Sequence, residues 1–206
     1  MIVVQVWVEG TTALLQHKLA EGALEDDGTR SNMAPARPNP RDVAEKAAYR
    51  LPNGNLAVPG TYFARMMREA AGAHKLKGTR KSAKYVLPAA VLVLDELCGL
   101  YLNDRKTPLT DYEVDSRAAR IPSTGGLVMR HRPRLNEWSC LVRLRIKENI
   151  LSENFVRQVF MEGGDQQGVG DYRPSSGGSF GMFQIVEWQV VSDPKPKTVA
   201  QQHASA

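Results

Sequence analysis

A glycine-rich stretch toward the C-terminal end of the chain has residues that could bind phosphate. Glycine recurs through residues 163–183, beside Arg173 and several serines. Glycine loses the most conformational freedom on folding, so such a run is costly unless the backbone adopts positive φ or approaches another group closely. Exposed backbone N–H groups would suit phosphate oxygens. The stretch therefore predicts an anion-binding loop rather than a packing element, the alternative being a long mobile surface loop. Its predicted contacts are Gly168, Gly170, Arg173, Gly178 and Ser179.

Basic residues occupy alternate positions in two neighbouring segments, residues 127–135 and 138–147. Side chains at alternate positions of an extended chain share one face. A turn at residues 135–137 would pair the two segments as a hairpin with one apolar face and one cationic face. The cationic face would carry Arg130, Arg132, Arg134, Arg143, Arg145 and Lys147.

Two interpretations of this cationic face are open. Any half-exposed sheet needs a polar side, and arginine is a common choice for it. However, the two segments contain no acid, and Glu137 stands in the turn between them; like charges on one face repel one another unless an anion meets them. The pattern therefore favours a phosphate-binding surface, which Arg117 and Arg120 would extend upstream. Replacing Arg130, Arg132, Arg143 and Arg145 together by alanine is expected to remove binding and leave the fold intact.

A third basic run lies within residues 75–84 and contains no acid. Such a run is usually a solvated loop, but it also fits an arm that closes over a polyanion. Its predicted nucleic-acid contacts are Lys77, Arg80 and Lys81.

Periodicity predicts the elements that must position these residues. Alternating residues indicate a strand at residues 1–9 and another at 183–190, and apolar runs indicate strands within 86–94 and 95–102. Apolar residues at helical spacing predict a helix over 62–73, with its methionines in the core, and another from the cap Ser152 to about residue 161. Residues 13–18 are interpreted as a bend or short helix.

Residues 19–60 are interpreted as an insertion. Residues 21–40 are too polar and proline-rich to bury, which predicts a mobile loop. A short helix should follow, from Asn39 through Ala48, and then a small hairpin at residues 50–59. In that hairpin, Asn53 and Gly54 would supply the two positive-φ positions of a type I′ turn.

The composition is that of an ordinary globular protein, with 206 residues, 42% hydrophobic residues and a net charge of +5. It predicts one domain over residues 1–192 and a disordered tail over 193–206. No stretch has the features of a membrane span or signal peptide, so a cytoplasmic protein is expected. Cys98 and Cys140 are the only cysteines and stand in apolar segments, so we expect no disulfide, metal site or cofactor.

The order of these elements resembles the RAMP superfamily, the RNA-binding proteins of CRISPR effector complexes. The likeness rests on residues 168–174 and 178–183 of the glycine-rich stretch and on a first strand leading into residues 10–15. Residues 130–138 are similar to an arrangement found in small RAMP-like proteins encoded by bacteriophages. The resemblance covers residues 1–18 and 112–190.

This resemblance implies an α+β fold: a ferredoxin-like (RRM-like) antiparallel sheet with helices on one face and an inserted loop and hairpin region. It also implies single-stranded RNA followed along the protein surface, with Arg173 and the loop glycines in contact with it, several copies along one strand, and a bacterial host cytoplasm. Two features depart from the family pattern. Residues 175–178 lengthen the glycine-rich loop, and the proline-rich insertion has no counterpart that we can place.

Three functions follow as alternatives. The first is a binding protein for single-stranded RNA or DNA, RNA preferred, with no catalysis; Tyr172 or Phe180 would stack on bases, whereas Trp138 is assigned to the core. The second is a metal-independent endoribonuclease, for which His17 is a weak catalytic candidate, assisted by Lys18 or Tyr172. The third is a structural or inhibitory protein that acts through protein contacts.

Overall fold

The computed structural model describes residues 1–19, 39–76, 78–120 and 125–191, and of Arg120 it describes the backbone alone. Most of the predicted mobile loop, the predicted tail and Lys77 lie outside these residues. None of the described helices is long and apolar enough to cross a membrane.

The described residues form nine strands, four α-helices and three short 3₁₀ turns. The strands are β1 (Ile2–Gly10), β2 (Leu14–Leu15), β3 (Ala57–Pro59), β4 (Val91–Val93), β5 (Leu97–Tyr101), β6 (Glu113–Arg120), β7 (Leu127–Leu135), β8 (Ser139–Ile146) and β9 (Phe183–Val191). The helices are α1 (Pro40–Lys46), α2 (Gly60–Ala70), α3 (Leu87–Ala90) and α4 (Glu153–Gln166). The 3₁₀ turns are Ala71–Ala73, Ala83–Tyr85 and Pro174–Ser176.

The central sheet has the antiparallel order β3-β5-β8-β1-β9, and β4 lies beside β5 along the same edge of β8. Since β4 and β5 together act as one interrupted strand, the path along the chain is β1, α2, β4 with β5, β8, α4, β9. This is the β-α-β-β-α-β path of a ferredoxin-like fold. The predicted α+β, ferredoxin-like class is confirmed.

The helices cover one face of the central sheet, where alternate residues of β1 are fully buried: Val4, Val6 and Val8. On α2, Phe63 lies against Phe160 of α4, with ring centroids 6.0 Å apart. The predicted strand at residues 1–9 and the predicted core methionines, Met66 and Met67, are therefore confirmed.

A second sheet of three strands has the order β2-β7-β6, and α1 packs against it. The predicted pairing of residues 127–135 with 138–147 is wrong, because β7 pairs with β6 and β8 enters the central sheet beside β1. The reason lies in burial. Cys140, Val142, Leu144 and Ile146 of β8 are fully buried in the core, a position that a hairpin with β7 would not give them.

Four local predictions are also corrected. Residues 13–18 contain the short strand β2 instead of a helix, and a helical turn, α3, precedes β4. The turn before β3 is closed by a 2.9 Å hydrogen bond from the Gly54 N–H to the Leu51 carbonyl. Only Gly54 there has positive φ, so the turn is not type I′. Finally, α4 runs on to Gln166 through two of the glycines.

The buried side chain of Gln16, which follows β2, hydrogen-bonds to the inserted segment. Gln16 is fully buried; its Nε2 donates to the Ala57 carbonyl at 2.9 Å, and its Oε1 accepts from the Tyr49 N–H at 2.9 Å. A buried amide is stable only when its polar atoms are satisfied in this way. These bonds fix the residue before His17, and the residue after it is held by a 2.9 Å hydrogen bond from the Lys18 N–H to the Ala47 carbonyl.

Candidate nucleic-acid interface

The first two glycines of the glycine-rich stretch serve helix packing. Gly163 and Gly164 lie in α4, where a Cβ on Gly163 would overlap Met66 Sδ and one on Gly164 would lie 2.6 Å from the Phe183 carbonyl oxygen. These positions need glycine so that α4 can approach α2 and β9 closely. The prediction that the glycines are not there for packing is wrong for this part of the stretch.

Residues 168–181 fold back onto β2 through their own amides. Asp171 N–H donates to the Leu15 carbonyl at 2.9 Å, and Gly181 N–H donates to the Ala13 carbonyl at 2.8 Å. Gly170 has a φ of +82°, and a Cβ there would lie 2.5 Å from the Leu15 oxygen. Since Gly168 and Gly178 also donate to protein carbonyls, phosphate contacts at this loop would have to be made largely by side chains.

One ion pair joins the loop to the second sheet. Asp171 Oδ2 lies 2.7 Å from Nε of Arg132, whose side chain is only 8% exposed. Arg173, also largely buried, donates from Nη1 to the Gly170 carbonyl at 3.2 Å, and its Nη2 lies 3.8 Å from Glu69 on α2. The glycine-rich loop, β7 and α2 thus meet around these two arginines.

His17, which follows β2, lies where these three elements meet. Arg130 Nη1 donates to His17 Nε2 at 2.9 Å, so this nitrogen carries the lone pair and is already engaged. Burial, together with Arg130 and Arg132, lowers the pKa of His17 despite the opposing effect of Asp171. The arrangement holds a neutral imidazole whose proton-accepting atom is occupied, which is unfavourable for a general base.

Aromatic and guanidinium groups enclose Phe180 of the loop. The Arg117 guanidinium lies 4.7 Å from the Phe180 ring centroid, and that of Arg134 lies 6.0 Å from it. Phe180 is buried, so it is a support for these cations rather than a platform for bases. Tyr172, by contrast, is 43% exposed and lies at the surface of the loop.

A narrow cleft of about 160 Å³ opens between the loop and α2. His17, Tyr62, Arg65, Gly170, Asp171 and Arg173 line it. Beyond Arg65, the surface continues as a recess of about 350 Å³ lined by Arg65, Arg68, Glu69 and Lys84. Among the described residues at this site, arginines outnumber carboxylates, so the cleft and recess together form one basic groove.

Arg65 and Arg68 of this groove were missed by the sequence analysis. They stand on the polar side of α2, opposite Phe63 and Met66, and the helical pattern was used only for its apolar side. Their spacing of three residues was the available signal, because residues three apart on a helix are surface neighbours.

The remaining predicted contacts lie elsewhere. Arg143 and Arg145 are on β8 of the central sheet, and Lys147 follows that strand, so the structure does not bring them together with the arginines of β7. Arg143 Nε is 3.0 Å from Oδ1 of Asp95, in the kink between β4 and β5. The sequence predicted no acid beside these cations, but Asp95, which is distant in sequence, pairs with Arg143.

The sequence also predicted contacts at Arg80, Lys81 and Ser179, and at Lys77 and Arg120. Arg80 and Lys81 are exposed in the turn that follows α2 and its 3₁₀ extension, and Ser179 is exposed in the loop. Lys77 and the side chain of Arg120 lie outside the described residues. No cluster of His, Cys, Asp and Glu able to hold a metal ion occurs in the part of the chain that the structure describes.

No family model matches the sequence, and no curated protein matches it closely enough to count as a relative. A solved structure does match: a chain in the cryo-EM structure of the type III-B Cmr-beta bound to cognate target RNA, with a TM-score of 0.53 and 11% sequence identity. The likeness is one of fold. It covers 93% of this chain but only 61% of that one, so this chain spans less than two thirds of its neighbour's length.

Proposed function

We propose that this protein binds single-stranded nucleic acid, RNA in preference to DNA, by following the phosphate backbone along the basic groove. On this proposal it is a RAMP-like protein of the kind that bacteriophages encode, acting in the cytoplasm of a bacterial host. Phosphate contacts would provide the affinity with little choice of sequence.

The observation that carries the proposal is the meeting of three elements that are far apart in sequence. The Asp171–Arg132 pair brings the glycine-rich loop to β7, and the Arg173–Glu69 contact brings it to α2. Arg65 lines the cleft; its Nε lies 2.8 Å from Glu69 Oε1, but its side chain is 68% exposed, so the rest of the guanidinium faces solvent. An exposed arginine beside a concave polar surface is suited to bidentate contact with phosphate.

The neighbouring structure supports the same proposal in coarse terms, because its chain belongs to an assembly bound to target RNA and has a similar fold. Fold does not by itself fix function. The similar fold therefore supports RNA binding only in combination with the basic groove. A binding experiment distinguishes RNA binding from the alternative of a structural or inhibitory protein.

We also propose that several copies line up along one strand. An exposed apolar segment of β7 would serve contacts between copies: Leu127 is 73% exposed and Met129 is 56% exposed. Monomeric proteins usually keep such patches small. Light scattering on the protein alone and with a long single strand would measure the assembly.

The proposal is tested by fluorescence anisotropy with a labelled 20-nucleotide single-stranded RNA at about 100 mM salt. A triple variant, Arg65→Gln with Arg68→Gln and Arg130→Gln, removes two exposed charges of the groove and the charge of Arg130, which contacts His17 in the wall of the cleft. We expect its affinity to fall roughly 30-fold or more, because each lost phosphate contact weakens binding for all sequences alike. The same strand made of DNA should bind more weakly than RNA.

Arg157→Gln is the matched control, since Arg157 is an exposed helical arginine on α4, away from the groove. Its affinity should stay within about twofold of the wild type. Equal affinities of a folded triple variant and the wild type would remove the groove from the proposal. Absence of binding by the wild type would favour the protein-partner alternative.

A further inference from the structure

The face of the central sheet opposite α2 and α4 carries side chains suited to nucleobases. Alternation along β1 directs Val4, Val6 and Val8 to the helices, so Gln5 and Trp7 lie on the other face. Both are partly exposed. Among the helices that the structure describes, α2 and α4 pack on the opposite face. The face with Gln5 and Trp7 is therefore separate from the basic groove, which α2 lines.

Trp7 occupies one row of side chains across this face. Its register partners are Leu141 on β8 and Glu187 on β9, and its ring packs against Tyr101 with centroids 5.6 Å apart in an edge-to-face arrangement. Tyr101 thereby orients the indole and leaves part of it in solvent. A partly exposed, fixed aromatic ring is what a base needs for stacking.

Gln5 occupies the next row, with Arg143 of β8 on one side and Gln189 of β9 on the other. Directly opposite side chains on neighbouring strands have Cβ atoms about 4.5–5.5 Å apart. Gln189 is exposed, and an amide offers both a donor and an acceptor to a base edge. The two amides therefore lie side by side, one row from the indole.

The charges nearest Gln5 and Trp7 on this face also fit a polyanion. The Arg143 side chain is half exposed although Asp95 holds it, so part of the guanidinium faces solvent. Glu187, the carboxylate next to Trp7, is paired with Arg105, whose Nη1 lies 3.0 Å from Oε2. Neutralising that carboxylate removes a charge that would repel phosphate.

We infer that the face of the central sheet opposite α2 and α4 holds bases of the bound single strand, with Trp7 as the stacking ring and Gln5 and Gln189 at base edges. The inference rests on the proposed function and adds a base-contacting surface to the phosphate-contacting groove. Sheets of RRM proteins bind single-stranded bases on aromatic side chains in a comparable position.

Tryptophan emission tests the inference, because a base stacked on an indole quenches it. The protein has three tryptophans, of which Trp138 is fully buried and Trp188 donates from Nε1 to Glu153 at 2.5 Å. Titration with an unlabelled uridine 12-mer should quench the wild type. Trp7→Phe should lose that quenching and bind about fivefold more weakly, whereas Trp188→Phe should be quenched like the wild type.

A second variant, Gln5→Ala with Gln189→Ala, keeps the Trp7 indole. It tests the inference even if Trp7→Phe does not fold. Its affinity should also fall several-fold, with different losses for uridine and adenosine 12-mers. Equal quenching in Trp7→Phe, or an unchanged affinity of the double variant, would overturn the inference while leaving the groove in place. If the wild type binds no single strand in the anisotropy experiment, the proposed function and this inference fall together.

Discussion

The carboxylate of Asp171 lies 2.7 Å from the Arg132 guanidinium and so joins the glycine-rich loop to the middle strand of the second sheet. The Arg132 side chain is 8% exposed and that of Asp171 is 32% exposed. A buried cation without its partner is costly, whereas a paired one is tolerated. The pair therefore holds the loop against β7, in addition to the amide hydrogen bonds that join the loop to β2.

Replacement of Asp171 by asparagine should destabilise the fold, because Arg132 would keep its charge and lose its anion. We expect a loss of roughly 2 kcal/mol, less than for a wholly buried pair because Asp171 keeps a third of its surface in water. Urea denaturation measures it. Asp165→Asn, at an exposed position near the end of α4, is the control and should change stability by less than about 0.5 kcal/mol. Equal stabilities of the two variants would show that the pair does not hold the loop.

Two glycines of the loop should respond very differently to alanine. Gly177 has a φ of +79° with no atom within 4 Å of the added Cβ, so Gly177→Ala should cost only about 1 kcal/mol, for the left-handed backbone. Gly170 has a similar φ of +82°, but its Cβ would lie 2.5 Å from the Leu15 oxygen, so Gly170→Ala should cost about 3 kcal/mol or more. Thermal or urea unfolding of both variants checks this. Similar losses at the two positions would mean that close approach to β2 is not what Gly170 provides.

The sequence predicted elements that have one apolar side. β1 and α2 each bury a regular pattern of residues, and that pattern is local. The pairing of strands is not local: β7 and β8 are joined by a short connection, yet they belong to different sheets, because the apolar side of β8 is required in the core. An alternating apolar pattern indicates that one side of a strand is buried, but it does not indicate which strand lies beside it.

The sequence predicted individual residues of the candidate site, but it did not predict which residues lie together there. Arg130, Arg132 and Arg173 were singled out, but their neighbours His17 and Asp171 come from other segments. The quadruple arginine variant expected to leave the fold intact includes Arg132, which is buried and paired. Charge patterns along a chain do not reveal ion pairs formed between distant segments, so a surface role could not be separated from a structural one.

Protonation of His17 should destabilise the protein. Burial lowers its pKa in the folded state below the ordinary value of 6.5, so the unfolded chain binds the proton more readily. The stability that comes from the neutral ring is therefore present above pH 6.5 and is lost as the pH falls below it. Melting temperatures from pH 8 to pH 5 should fall more steeply for the wild type than for His17→Gln, whose amide oxygen can accept from Arg130. A constant difference between the two proteins over this range would contradict the assignment.

The protein should not cleave RNA in the absence of metal. The lone pair of His17 Nε2 is engaged by Arg130, so the ring is poorly placed to take a proton from a ribose hydroxyl. End-labelled RNA incubated with excess protein in chelator should stay intact on a denaturing gel. Cleavage products that disappear in His17→Ala, with binding retained, would instead support the endoribonuclease alternative.

Binding should weaken steeply with salt, because the groove offers arginines to phosphates and each contact releases counterions. Contact with about four phosphates predicts a slope near −3 for the logarithm of the association constant against that of the salt concentration, at about −0.7 per phosphate on a single strand. Anisotropy titrations between 50 and 300 mM salt measure this slope. The triple variant at Arg65, Arg68 and Arg130 should reduce its size by about 2, whereas Arg157→Gln should leave it unchanged. A slope near zero in the wild type would mean that phosphates are not the groups recognised, and the basic groove would then be better assigned to an acidic protein partner.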